Sequence, residues 1–524
     1  MKDRCEVVLV AFYDVDSFPV RTLHAVLDEA GFDVRSIFFK QLNPNNTMDP
    51  PAAEEIEHTV NVIAELRPYL IGMSLRSAHL KLAGRLTTAL KARLDTPVLW
   101  GGTHPSIKPQ QCLEFADMVC LGEGEDALVE LAGALRDGRP IETIQNLWIK
   151  APSGVIRNDQ RRLIKDLDRV PFADFSQRNK RLLDGGREVD FPSDDERVSY
   201  WMMTSRGCPY SCTFCGNSFF WDAVKGKGSW IRRRGVDDVI EELVEARRRF
   251  RNLLFINFED DVFTFNVRWL TEFRDKYRRH VNLPFFCYCH PKATSEETIR
   301  LVREAGCVSM TMGVQAGSER IRRDLFLRNE TDDELIEAAG ILHRHGIHCS
   351  YDIIMDNPLE EESDRRATLE LLLKFPRPFE LHTHTLTHFP GTKLTDILLE
   401  RGIIRLEDCE DMKEQSYERW TPALDLRRDR DNLFWDNLYY LAAKGYAPDG
   451  LIRRLSRSRL LKAYPHLLTL LLRFFSADIQ TVRRGSRFDL FRRNVMLKLR
   501  ERLEALRNRG RAWRRVPRKD QVCV

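Results

Sequence analysis

Twice along its length this chain alternates strand-length apolar runs with amphipathic stretches, and few architectures accept that pattern. In the first block, Val7–Tyr13, Val34–Phe39, Leu70–Ser74, Val98–Trp100 and Met118–Leu121 read as strands. Helical patterns such as Val20–Glu29 and His79–Leu94 lie between them. The expected product is an α/β, doubly wound parallel sheet, Rossmann-like or flavodoxin-like, with ligands at the carboxyl ends of its strands. Asp14, Ser74 and "GGTHP" (Gly101 to Pro105, including Gly102 and His104) fall there.

A second block starts near residue 196. Its strands are expected at Val198–Thr204, Leu253–Phe258, Phe285–Cys289, Val308–Val314, His348–Met355 and Glu380–Leu386. Helices such as Val236–Phe250 and Asp332–His345 follow them. Six such units predict a partial (β/α)6 barrel, open on one side, with its working groups at the C-terminal strand ends. The expected organisation is therefore 1–140 as the Rossmann-like unit, 141–195 as a polar, turn-rich connector, 196–410 as the barrel, and 411–524 as a helical, basic region.

Composition narrows the setting. A length of 524 residues suits about three domains. The N-terminal apolar run is strand-length and broken by Asp14, unlike a signal peptide. The most apolar stretch, His466 to Phe475, is too short to span a bilayer and contains Arg473. The 12 cysteines are scattered apart from one trio, which points to reduced thiols in a cytoplasmic protein and not to a disulfide framework. From Leu451 onward there are 21 Lys and Arg against 5 Asp and Glu, while the whole chain nets only +4. A basic tail thus follows an acidic body.

The trio sits in "RGCPYSCTFCGN": Cys208, Cys212 and Cys215 in C-x3-C-x2-C spacing, with Phe214 before the last. Thiolates suit zinc or iron–sulfur clusters. Structural zinc wants four ligands, usually as two pairs, and the next cysteines, Cys287 and Cys289, lie far along the chain on an expected strand. A four-iron cluster on three thiolates instead leaves one iron open to a substrate or cofactor. A zinc knuckle and three incidental thiols are the alternatives at this point.

C-x3-C-x-aromatic-C resembles the signature of the radical S-adenosylmethionine (SAM) enzymes. "FINFEDDVF" (Phe255 to Phe263), "GVQAGSERI" (Gly313 to Ile321, with Gln315 where Glu is common) and "HFPGTKL" (His388 to Leu394) extend the likeness. "IIMDNPLEEE" (Ile353 to Glu362) departs from the usual Gly-Leu-Pro-Gly-Glu turn. The resemblance implies a [4Fe-4S] cluster on Cys208, Cys212 and Cys215, with SAM chelating the fourth iron and cleaved by one electron to a 5′-deoxyadenosyl radical. It places Phe214, Glu259, Asp260, Gln315 and Ser318 near SAM, and implies a flavodoxin- or ferredoxin-type reductant.

"VLWGGTHPSIKPQQCLEFADMVCLGEGEDALVEL" (Val98 to Leu131) resembles the end of the cobalamin-binding domain that precedes the barrel in one radical SAM subgroup. A Gly pair after a strand admits a bulky ligand close to the backbone. The likeness implies cobalamin held near Asp14, Ser74, Gly101, Gly102 and His104. One departure stands out: "FYDVDSFPVRTLH" has no histidine spaced to ligate cobalt, since His24 falls inside an expected helix. The implied activity is methyl transfer to an unactivated carbon, or phosphorus, of a small or lipid-like substrate. A radical oxidative cyclase or oxidoreductase on the same scaffold is the first rival. An iron–sulfur or zinc protein that binds nucleic acid is the second.

Two weaker features complete the reading. His382, His384 and His388 share strand parity and would contact a polar substrate if that face is the lumen. The basic tail suits a solvated helical cap or peripheral contact with a membrane surface. A nucleic-acid grip is disfavoured because Trp513 is the sole aromatic platform there.

Overall fold

In a computed structural model of the chain, residues 5–43, 48–407, 409, 428–445 and 447–475 are described. The basic run of 476–524 and all of 410–427 lie outside them. Among the described residues, seventeen strands form three sheets.

The first sheet contains β1 (Val7–Phe12), β2 (Val34–Phe39), β3 (Leu70–Ser74), β4 (Val98–Gly101) and β5 (Met118–Cys120), followed by β6 (Leu147–Ala151), β7 (Gly154–Arg157), β8 (Lys180–Asp184) and β9 (Arg187–Val189). Their order is β7-β6-β5-β4-β3-β1-β2-β8-β9. Within it β5-β4-β3-β1-β2 is the flavodoxin-like order, whose direction reverses between β1 and β3. β1 is buried on both faces. Val7, Leu9 and Ala11 pack toward the helices Phe18–Glu29 and Glu125–Asp137; Val8, Val10 and Phe12 face Ala53–Leu66 and Leu80–Lys91. This is the double covering a parallel sheet needs.

Residues 141–195, expected as a connector, contribute four strands to the two edges of this sheet: β6 and β7 beside β5, β8 and β9 beside β2. The pairings β5–β6, β6–β7 and β8–β9 are antiparallel. These strands are short and partly exposed, so they carry little apolar periodicity and read as turns.

The second sheet runs β10 (Ser199–Met202), β13 (Phe255–Phe258), β14 (Phe285–Cys289), β15 (Cys307–Gln315), β16 (His348–Met355) and β17 (Glu380–Thr385), in that spatial order and all parallel. It is the open six-stranded barrel. Tyr200, Met202, Ile256, Phe258, Cys287, Cys289, Met310, Met312, Tyr351 and Ile353 pack outward under the helices. Alternation then sends Trp201, Asn257, Tyr288, Thr311, Asp352, His382 and His384 to the lumen face. The helix Asp332–Arg344 shows how local sequence starts such elements: Thr331 Oγ1 accepts the Glu334 amide at 3.2 Å while Glu334 Oε2 accepts the Thr331 amide at 2.8 Å, a reciprocal cap.

The third sheet is a two-stranded ribbon, β11 (Ser205–Arg206) against β12 (Arg232–Arg233). It closes the base of the loop that carries the three cysteines. The helix Arg430–Lys444 packs on the barrel's last strand, and Pro465–Phe475 packs on that helix. Among the described residues no helix is long and apolar enough to cross a membrane.

Candidate active site at the junction of the two sheets

The cysteine loop leaves β11 through Gly207 at a φ of +89°. A Cβ there would stand 2.3 Å from the Trp230 carbonyl oxygen, so no side chain fits. Trp230 Nε1 donates to the Cys208 carbonyl at 3.1 Å. The Cys215 amide donates to the Cys212 carbonyl at 3.1 Å, and the helix Gly216–Ala223 starts directly after. Burial pushes Cys208 up to about 12 and Cys215 to about 11. Alone these groups stay thiols; iron would deprotonate them.

Three thiolates on one short loop are one ligand fewer than a closed structural zinc site takes, and leave a four-iron cluster one iron open. Arg328 adds a charged donor, with Nη1 3.8 Å from Cys212 Sγ and Nη2 2.7 Å from the Gly313 carbonyl. Glu330 pairs with Arg328 at 3.2 Å and with His290 at 2.7 Å. Tyr210 of the cysteine loop stacks on His290 with ring centroids 3.5 Å apart. Arg328 was invisible to sequence reasoning, being 116 residues from Cys212.

The residues assigned to SAM by resemblance divide into two groups. Glu259 ends β13 with Oε1 buried and unpartnered; burial, with Asp260 beside it, raises its carboxyl to about 7. Such an atom awaits a cation or hydroxyl donor, and SAM offers both. Gln315 has a φ of +69°, and its amide folds over Gly313 near Arg328. Phe214 packs edge-on to Phe326 with centroids 4.9 Å apart. Asp260 and Ser318 are spent elsewhere. Fully buried, Asp260 accepts from the Thr204 amide at 3.1 Å, Thr204 Oγ1 at 2.8 Å and Ser205 Oγ, pinning the β10–β11 turn. Ser318 Oγ donates to Asp364 Oδ1 at 2.6 Å.

A cavity of about 510 Å³ opens at the carboxyl ends of the first sheet, beside the point where strand order reverses. Leu9, Met73, Leu99 and Leu128 give it an apolar floor; Gly72, Gly101, Gly122 and Gly124 open its wall. Its far side is barrel: Met203, Arg206, Phe220 and Trp230. Arg206 ties the β11–β12 ribbon to the segment after β5, donating to Glu123 at 2.7 Å and Glu125 at 2.6 Å, and Arg232 reaches Glu123 at 2.9 Å. These glutamates belong to the "GEGE" run. Apolar depth with glycine openings fits the nucleotide tail of a corrinoid.

Ser74, Gly101 and Gly102 line this cavity as expected; Asp14 and His104 do not. Asp14 accepts the Asp16 amide at 3.1 Å and pairs with Arg76 at 3.6 Å. His104 is fully buried, with Nδ1 2.9 Å from Ser77 Oγ. No histidine is among the described lining residues, so a protein imidazole does not reach this space. His382 and His384 come together on the lumen face. His388 does not join them, because β17 ends at Thr385 and strand parity stops there.

Two family models match: the B12 binding domain over residues 5–132 and the radical SAM superfamily over residues 202–372. The chain joins a B12 binding domain to a radical SAM domain. Its cofactors are a [4Fe-4S] cluster, SAM and cobalamin. This radical SAM enzyme is 27% identical to an uncharacterized methyltransferase of Pyrococcus horikoshii over 66% of its own length and 72% of the relative's. It is 27% identical to the cytidylyl-2-hydroxyethylphosphonate methyltransferase of Streptomyces wedmorensis, over 55% and 58%. It is 24% identical to an anaerobic magnesium-protoporphyrin IX monomethyl ester cyclase of Rubrivivax gelatinosus, over 65% and 60%. The chain thus spans about three fifths of the last two relatives. In fold it is similar to the radical SAM methyltransferase TsrM of Kitasatospora setae, solved with cobalamin and a [4Fe-4S] cluster: TM-score 0.62 and 18% identity, covering 87% of this chain and 99% of that one. Enzymes of this class take a reductant and a small-molecule substrate.

Proposed function

We propose that this enzyme transfers a methyl group to an unactivated carbon, or a phosphorus, of a small substrate seated in the barrel lumen. The observation that carries the reading is the cavity shared by both sheets, which gives a corrinoid one wall of glycines and one wall of barrel residues. Bound there, cluster and SAM supply the radical that activates the acceptor, and cobalamin supplies the methyl.

The chain's own residues have these roles. Cys208, Cys212 and Cys215 hold the cluster, and Arg328 supports the Cys212 thiolate. Glu259 and Gln315 receive the polar groups of SAM. Gly101, Gly102 and Ser74 border the corrinoid tail. Residues 1–140 form the corrinoid unit, with 141–195 completing its sheet edges, and 196–410 form the radical unit; of the region 411–524, the described helices from Arg430 onward pack against it. A flavodoxin or ferredoxin is the electron donor, and the reduced thiols suit the cytoplasm. The cyclase relatives keep radical oxidative cyclisation as the second reading.

Products separate the two. Anaerobic holoenzyme given methyl-labelled SAM, reductant and a small-molecule extract should form both S-adenosylhomocysteine and 5′-deoxyadenosine, with label in an acceptor. Deoxyadenosine with no homocysteine product and no labelled acceptor would contradict methyl transfer.

A further inference from the structure

The six barrel strands contain no Lys or Arg. Asp352 lies on their lumen face and Glu259 directly follows β13, while Arg328 enters from the segment after β15. At the β16–β17 edge three ligand-bearing side chains converge. Register sets Asp352 opposite His382, and His384 follows two residues on, on the same face. His382 Nδ1 stands 3.1 Å and His384 Nε2 3.4 Å from one oxygen, Asp352 Oδ1. One ligand atom from each of the three lies within 4.8 Å of the others. Two donors bound to a single ion at about 2.1 Å, at angles between square and tetrahedral, sit about 3.0–3.4 Å apart. The observed separations match. All three side chains are partly exposed, so the space in front of them is reachable.

We propose that Asp352, His382 and His384 bind one divalent ion of the zinc or ferrous class in the lumen. Two imidazoles and a carboxylate leave coordination positions open. The ion presents a Lewis-acidic point to an oxygen donor on the substrate, whether phosphate, carboxylate or vicinal hydroxyls. That last step rests on the proposed function, which seats the substrate in this lumen; the ion site itself does not. His388, in the loop beyond β17, takes no part.

The test uses reconstituted holoenzyme dialysed anaerobically against zinc chloride and then against metal-free buffer. Metal analysis should find one zinc per chain beyond the cluster iron, and its X-ray absorption edge should show nitrogen and oxygen neighbours without sulfur. His384→Gln and His382→Asn should lower zinc at least tenfold with cluster absorbance unchanged, and His388→Ala should retain it. No zinc above background, sulfur ligation, or equal zinc in His384→Gln would overturn the site and leave two hydrogen bonds to Asp352. Deoxyadenosine formation by the same wild-type preparation reports on the proposed function separately. Zinc without cleavage leaves the ion site standing; cleavage without zinc removes only the ion site.

Discussion

Arg328 reaches across the barrel to Cys212: Nη1 lies 3.8 Å from Sγ, while Glu330 holds the guanidinium from behind at 3.2 Å. Burial raises the Cys212 thiol, and Arg328 is the principal influence lowering it. Replacing Arg328 with Met keeps the bulk and removes the charge. Cluster affinity should fall about 10-fold, the usual cost of losing a group that supports a metal ligand. Iron and sulfide per chain after reconstitution at limiting iron measure it, and Arg328→Lys should recover part of the loss.

Glu259 makes SAM binding pH-dependent. Its carboxyl is raised to about 7, so between about pH 4.5 and 7 the folded chain holds a proton that the unfolded chain has released. Without SAM, Glu259 therefore makes stability fall as pH rises through that window. With SAM the ionised carboxylate gains a partner, so affinity should rise from pH 6 to 8. Equilibrium dialysis of SAM at the two pH values checks this, and Glu259→Gln should flatten the dependence.

Asp260 is a positioning residue. Asp260→Ala strands the buried Thr204 and Ser205 donors, a loss of about 3 kcal/mol, and loosens the turn that feeds the cysteine loop. Denaturant unfolding reads the stability, and cluster content should fall with it.

Gly101 and Gly102 should separate fold from cofactor. A Cβ on Gly101 meets nothing nearer than Cys120 Cβ at 3.8 Å, whereas one on Gly102 meets the Leu75 carbonyl at 2.7 Å in a left-handed conformation, φ +102°. Gly101→Val should fold and assemble its cluster, yet lose corrinoid absorbance. Gly102→Val should instead lower the yield of folded protein.

The fold was legible wherever burial demanded it. β2, β3, β14 and β16 match the expected strands residue for residue: β2 and β3 are apolar runs within a sheet covered on both faces, and β14 and β16 each bury one face beneath the helices. The four edge strands within 141–195 were not, for they bury too little. In the site, the cysteine trio was legible because its ligand spacing is local. Asp260, Ser318, Asp14 and His104, placed near the cofactors by resemblance, are engaged by neighbouring backbone or side chains, which sequence does not display. Arg328 and Trp230 were missed because long-range contact alone defines them. The stretch read as suited to peripheral membrane contact, Arg459 to Phe475, packs in part on the helix Arg430–Lys444, where buried Thr469 bonds Asn437; the more basic run of 476–524 lies outside the described residues.

The most direct measurement of the central claim is 5′-deoxyadenosine released when reduced, oxygen-free holoenzyme meets SAM. Wild-type chain should release it, and Cys208→Ala, Cys212→Ala and Cys215→Ala should each release none while still folding. A wild-type protein that releases none with its cluster loaded and reduced, or a Cys212→Ala variant that releases as much, would contradict the account.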